Sequence, residues 1–214
     1  MEWLANPASS GGLAMRADWY IFIGAGIAVG IFVYACIVWC LIAYRRRGAR
    51  APAQFEENRP LELFYVIVPL LLVFALFGVT LAYELPVDRV GDPPNRIAVT
   101  AYRWSWRFEY GNVTTTGTPA APPTLYLPVD ETTEIQLRSD DVTHSFWVPA
   151  FLFKRDAIPG MANEFDLTPN RLGTFPGRCA QFCGLSHAQM TFIVRVVPRT
   201  AYVRYLATRG AALP

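Results

Sequence analysis

Two thiols, an imidazole and a thioether fall within the twelve residues from Cys179 to Met190, in the run Cys179–Ala180–Gln181–Phe182–Cys183–Gly184–Leu185–Ser186–His187–Ala188–Gln189–Met190. His144, the only other histidine, lies 35 residues before Cys179 on a strand-like stretch. Soft sulfur combined with imidazole selects copper or zinc. Structural zinc sites use Cys and His alone, so a Cys-x3-Cys-x3-His run trailed by Met fits zinc poorly. A mononuclear blue-copper site takes two His, one Cys and a weak axial Met, in the loop order Cys, His, Met; this loop has that order with one cysteine more. Two thiolates bridging two coppers, with one His for each metal and weak axial donors, employ all of these groups, so a dinuclear copper site is the best match. A Cys179–Cys183 disulfide is the alternative in an oxidising compartment, but it leaves the methionine and both histidines unexplained. Cys36 and Cys40, one helical turn apart in an apolar run, read as small packing residues.

Such a site needs a rigid scaffold, and the rest of the chain divides into one part for lipid and one for water. The 214 residues carry a net charge of +2, are 53% hydrophobic and 17% charged, and have a mean hydropathy of +0.24. That balance is too apolar for a disordered chain and too weakly basic for a nucleic-acid binder. From Trp19 to Tyr44 there are 26 residues without a charge, and from Leu63 to Tyr83 there are 21. Each run exceeds the roughly 20 residues that cross a hydrocarbon core. Trp19, Tyr20, Tyr44 and Tyr83 stand at the span ends, where amphipathic rings favour the headgroup zone. The connection holds Arg45, Arg46, Arg47, Arg50 and Arg59 against Arg16 alone on the N-terminal flank. By the excess of basic residues this connection faces the cytoplasm and both termini face outward. The first run is too long for a signal-peptide core and lacks a cleavage site, so a retained helix is expected. Pro69 interrupts the second span, which membrane helices tolerate. Glu62 opens that span, and a carboxylate there is either functional or an anchor that reaches water.

The expected organisation is a loop-like lead-in over 1–18, a transmembrane hairpin over 19–83 with spans near 19–44 and 61–83, and an outward-facing domain over 84–214. The domain reads as all-β, because Ile97–Tyr102, Arg103–Tyr110, Thr124–Pro128, Thr132–Ser139, His144–Val148, Asn163–Thr168, Gly173–Gly177 and Met190–Val197 alternate with turn residues at the spacing of a sandwich or barrel. Thr200–Arg209 is expected to form a short terminal helix.

The chain resembles subunit II of the haem–copper oxidases of the cytochrome c oxidase type. The motifs that carry the likeness occur in order: the two-helix hairpin, Tyr102–Arg103–Trp104–Ser105–Trp106–Arg107–Phe108–Glu109–Tyr110, His144–Ser145–Phe146–Trp147–Val148–Pro149, Lys154–Arg155–Asp156–Ala157–Ile158–Pro159–Gly160 and the Cys179–Met190 loop. The resemblance implies a transmembrane hairpin followed by a cupredoxin-like Greek-key barrel or sandwich with the dinuclear CuA centre, two copper ions, in it. Cys179 and Cys183 would bridge both coppers and His144 and His187 would bind one each. Met190 and the main-chain carbonyl of Gln181 would be the weak ligands. It further implies that electrons enter near Trp104 from cytochrome c and pass to haem in subunit I, where oxygen is reduced to water with proton pumping. Subunit III and membrane lipid are further expected partners. Trp106 is expected to be a packing residue.

Glu62 matches a family glutamate near the mouth of a proton channel. Gln181 departs from the family, in which a glutamate reaches a magnesium ion at the subunit interface; a neutral amide there predicts a weak or absent magnesium site. The stretch Asp130–Asp141 is the one locally acidic run and so the candidate docking face for a basic donor. A nitric oxide reductase uses a similar copper subunit, since its reaction is decided in the partner; a membrane-anchored copper carrier would use a more exposed, often Met-rich site and would not need the Trp-rich entry strand. Quinol oxidase subunits lack the copper ligands, and no Cys-x2-Cys-His haem motif occurs. Eighteen Arg to one Lys suggests GC-rich bacterial coding and a bacterial cytoplasmic membrane.

Overall fold

A computed structural model describes residues 5–45, 48 and 57–210, so Arg46, Arg47 and Arg50 of the basic connection lie outside the described residues. Contacts divide the chain into two compact units, one from Ala17 to Tyr83 and the other made of the residues before Ala17 together with those from Glu84 onward.

Among the described residues, the first unit holds segments of two long helices. Helix α1 (Ser10–Ala43) has 34 residues and α2 (Arg59–Asp88) has 30, and both pass the length and hydropathy needed to cross a bilayer. Their ends extend into the second unit. Helix α2 runs unbroken through Pro69.

The lead-in differs from expectation, because α1 begins at Ser10 and Ala8 and Ser9 before it are docked. Ser9 Oγ accepts the Gly12 N–H at 3.0 Å, a helix N-cap, and donates to the Phe151 carbonyl at 2.9 Å. Ala8 N–H donates to Ala150 O, Ser10 N–H to Thr168 O and Asn170 N–H to Ala8 O. Gly12 is required by this close approach, since a Cβ there would lie 2.5 Å from the Phe151 carbonyl oxygen. Within the lead-in expected to be loop-like, Ser9 is thus a helix cap and Gly12 a close contact.

Among the described residues the second unit contains ten strands: β1 (Asn95–Tyr102), β2 (Ser105–Tyr110), β3 (Val113–Thr116), β4 (Thr124–Pro128), β5 (Thr133–Ser139), β6 (His144–Val148), β7 (Phe153–Ala157), β8 (Asn163–Leu167), β9 (Gly173–Cys179) and β10 (Thr191–Val197). They form two five-stranded sheets, ordered β3-β2-β1-β5-β8 and β4-β10-β9-β6-β7. The pairs β1·β5 and β4·β10 are parallel and the others antiparallel. This is the all-β sandwich expected, with β3 and β7 in addition. Arg103 and Trp104 are the two-residue tip of the β1–β2 hairpin, in which Tyr102 faces Ser105.

Between the sheets lies an aromatic core. Trp106, Phe108, Phe146, Phe165 and Phe192 have at most 1% of their surface exposed. Phe146 stacks on Phe192 at 4.8 Å, and Trp106 meets Phe192 and Phe146 edge-on at 5.1 and 5.9 Å. Gly177 leaves room for this stack, since a Cβ there would penetrate the Phe192 ring. Phe146 is two residues from His144 on β6 and Phe192 two residues past Met190, so the packed rings form the floor beneath the sulfur-rich loop. Helix α3 (Arg199–Gly210) closes the domain through Tyr205, stacked on Tyr126 at 4.0 Å, and Tyr202, edge-on to Tyr110.

Candidate metal centre

The β9–β10 connection carries five of the six expected donors and β6 supplies the other. Cys179 ends β9 and Thr191 starts β10; the Cys179 N–H donates to the Met190 carbonyl at 2.9 Å and closes the loop at its base. Inside the loop, His187 N–H donates to Gly184 O, Gln189 N–H to Ser186 O and Met190 N–H to His187 O. β6 pairs with β9 so that Phe146 faces Cys179, and Ala180 N–H donates to Ser145 O. That register brings His144, at the first position of β6, over the loop.

All six predicted donors converge. Cys179 Sγ lies 3.9 Å from Cys183 Sγ, 3.8 Å from His144 Nδ1 and 3.2 Å from the Gln181 carbonyl oxygen. Cys183 Sγ lies 3.5 Å from His187 Nδ1 and 3.7 Å from Met190 Sδ. His144, Cys179, Cys183 and Met190 are buried, His187 is half-buried, and the Gln181 side chain points to the exposed surface while its carbonyl turns inward. Both cysteines are free thiols, and 3.9 Å is far beyond a disulfide bond of about 2.05 Å.

The electrostatics separate the two sulfurs. Burial resists ionisation of Cys179, yet the hydrogen bond with His144, supported by neighbouring backbone, brings its pKa down to about 7. Burial and the negative charge on Cys179 push Cys183 up to about 12. Burial disfavours charging His144, but its contacts with Cys179 and Asp141 outweigh this and raise its pKa. A metal ion replaces the protons on such thiols. The separation of the sulfurs is also less than twice a metal–thiolate bond of about 2.3 Å, so one ion can touch both. The donor set therefore fits soft metal.

Three comparisons bear on this geometry. A family profile described as "Cytochrome C oxidase subunit II, periplasmic domain" matches residues 120–197. A Streptomyces avermitilis protein named "Probable cytochrome c oxidase subunit 2" is 35% identical, with 95% of this chain and 77% of that protein covered. The chain belongs to the cytochrome c oxidase subunit 2 family. Cytochrome c oxidase subunit 2 of Corynebacterium glutamicum is 32% identical, over 91% of this chain and 70% of that protein. The crystal structure of the periplasmic domain of subunit II from Bradyrhizobium japonicum superposes with a TM-score of 0.54 at 28% identity, covering 59% of this chain and all of that one. As a subunit 2 chain, it is a membrane protein with an outward-facing cupredoxin-like domain, and it is one component of a haem–copper oxidase complex, an oxidoreductase.

The remaining candidates occupy varied surroundings. Trp104 is half-buried at the β1–β2 tip; its indole N–H donates to the Cys183 carbonyl at 3.2 Å, and its ring lies against Gly184, whose φ of +114° suits glycine. Trp106 is a core residue. Glu62 sits in the first turn of α2, where its Oε1 accepts the Asn58 N–H at 3.2 Å while Asn58 Oδ1 accepts the Leu61 N–H. This reciprocal cap gives Glu62 a structural task besides any proton chemistry.

The acidic run Asp130–Asp141 is not one free face. Glu131 pairs with Arg199, Glu134 is buried against Arg96, and Asp140 pairs with Arg107. Asp141 lies beneath the Trp104 turn, bonded to Arg103 and to His144. Four H-bond donors around its carboxylate override burial and hold its pKa down to about 2. Sequence reasoning missed this contact with a candidate ligand, although the Asp-x-x-His spacing of Asp141 and His144 carried a signal for it.

Proposed function

We propose that this chain is the electron-input subunit of a haem–copper terminal oxidase. It takes electrons from cytochrome c and delivers them to haem in subunit I, where oxygen is reduced to water with proton pumping. The observation that carries the proposal is the meeting of two thiols, two imidazoles, a thioether and a carbonyl in one braced loop and its neighbouring strand. In this reading Cys179, Cys183, His144 and His187, with Met190 Sδ and the Gln181 carbonyl as weak ligands, would hold two copper ions. So bound, the coppers would supply a one-electron carrier.

The chain's own contribution is to keep these donors from moving when charge changes. The Cys179 N–H to Met190 carbonyl bond pins the loop ends, and the Phe146–Phe192 stack blocks collapse from below. Trp104 forms the proposed inlet, since its indole joins the domain surface to the Cys183 backbone through one hydrogen bond. Phe182 and Leu185, 79% and 94% exposed at the loop tip, supply an apolar contact surface that suits the catalytic subunit. The two spans would anchor the chain in a bacterial cytoplasmic membrane with the domain and both termini outside, and Glu62 would serve proton uptake on the cytoplasmic side. Gln181 offers an interface cation only a neutral amide oxygen, so magnesium there would be weakly held or absent.

The test is the copper content of the complex purified from membranes, with its electron paramagnetic resonance. Two coppers per subunit 2 chain and a mixed-valence signal shared over both nuclei are expected, together with haem and oxygen uptake on reduced cytochrome c. One copper per chain, or zinc in its place, refutes the proposal.

A further inference from the structure

We propose that Asp141 is a positioning residue that orients His144 as a metal ligand and holds the Trp104 turn in register with it. The inference rests on the copper-binding reading given above.

The geometry around this carboxylate is closed. Its Oδ1 lies 2.8 Å from His144 Nε2 and accepts the Val142 N–H at 2.6 Å. Its Oδ2 accepts the Arg103 N–H at 2.8 Å and the Arg103 Nε–H at 3.2 Å. An ionised carboxylate only accepts, so His144 must donate from Nε2, which leaves Nδ1, facing Cys179 Sγ, as the nitrogen available to a metal. The His144 side chain is fully buried, with Trp106 beside it, so water offers no substitute partner for Nε2. A carboxylate behind a ligating imidazole fixes its tautomer and ring orientation and raises its basicity as a ligand.

The same carboxylate reaches the electron inlet. Arg103 N–H, bound to Oδ2, belongs to the residue before Trp104, and the Trp104 indole is bound in turn to the Cys183 carbonyl. The hairpin tip is thus tied to His144 through Asp141 and to Cys183 directly. Ser139 secures the far side, its Oγ donating to the Val142 carbonyl at 2.5 Å and accepting the Asp141 N–H at 3.3 Å. With both oxygens engaged inside the domain, Asp141 is poorly placed to pair with a cation on a docking partner. Asp140, next to it, is exposed and meets Arg107 at 3.7 Å.

The test uses the complex purified from membranes and two readouts: copper retention against a graded chelator, and the nitrogen hyperfine couplings of the mixed-valence signal. Asp141→Asn turns either an amide N–H or a weaker neutral acceptor towards Nε2. Copper affinity is expected to fall about 10- to 100-fold, with one of the two imidazole couplings changed and the other kept. Asp140→Asn removes the same charge one residue away and is expected to leave both readouts at wild type. Arg103→Gln keeps the main-chain N–H and is expected to stay close to wild type. Asp141→Glu restores a carboxylate and is expected to recover part of the affinity, which also serves if Asp141→Asn does not fold. Wild-type affinity and couplings in Asp141→Asn overturn the proposal, as does an equal loss in Asp140→Asn or no recovery in Asp141→Glu. A wild-type complex without the two-copper signal overturns the electron-input reading itself, and this inference with it.

Discussion

Replacing Ser9 by alanine tests how firmly the start of α1 is fastened to the β-domain. Ser9 is 2% exposed, and its hydroxyl serves the Gly12 N–H and the Phe151 carbonyl together. Loss of the cap costs about 1 kcal/mol. The Phe151 carbonyl, left buried without its donor, adds roughly 1 kcal/mol or more. The main-chain bonds of Ala8, Ser10 and Asn170 survive, so the segment stays docked and opens more often. A sum of about 2 kcal/mol corresponds to a factor of roughly 30 in the opening equilibrium. Hydrogen exchange followed by mass spectrometry on the detergent-solubilised protein reads this directly. The peptide containing Ala8 to Gly12 should exchange about 30-fold faster in Ser9→Ala, while a β10 peptide keeps its wild-type protection. Exchange within twofold of wild type at the first peptide would refute the reasoning, and so would equal acceleration in both.

Replacing Cys179 or Cys183 by serine should abolish the two-copper signal, whereas Met190→Leu, a swap of similar volume at a fully buried site, should keep both metals and raise the reduction potential, measured by redox titration. Glu62→Gln retains an amide oxygen for the Asn58 N–H, so α2 should begin unchanged; slower steady-state turnover with unaltered copper reduction then reports proton uptake, and wild-type turnover assigns Glu62 to capping alone. Burial raises the Tyr202 pKa to about 12, against about 10 in the unfolded chain. The unfolded state loses this proton first, so stability falls as pH rises from about 10 to about 12. In Tyr202→Phe the alkaline fall should be shallower, as read by denaturant titration along a pH series.

The candidate donors were legible because metal-binding residue types are scarce and their spacing is short, so Cys179, Cys183, His187 and Met190 announce one loop. His144 could be joined to them because no other histidine competes. Strands with one face in the core, such as β4 and β10, bury alternate residues. β3 and β7 do not; each is an edge strand with a single neighbour, where threonine and charges such as Lys154, Arg155 and Asp156 are at home. The docked lead-in was hidden for another reason: Ser9 finds its partner at Phe151, 142 residues away. An acidic run likewise looks like a solvated face until folding sets Asp141 against His144 and Arg103 and pairs Glu131 with Arg199.

If these groups hold the copper proposed above, the division of candidate donors between one local loop and one distant strand would make metal content a proofreader of strand register. Side chains on a strand alternate between faces, so a slip of one residue between β6 and β9 would turn His144 away from the loop. Loop residues alone could still gather sulfur around an ion, but the partner imidazole arrives only when Phe146 faces Cys179. A chain paired in the wrong register would therefore betray itself by an incomplete complement of metal, before any electron had to be passed.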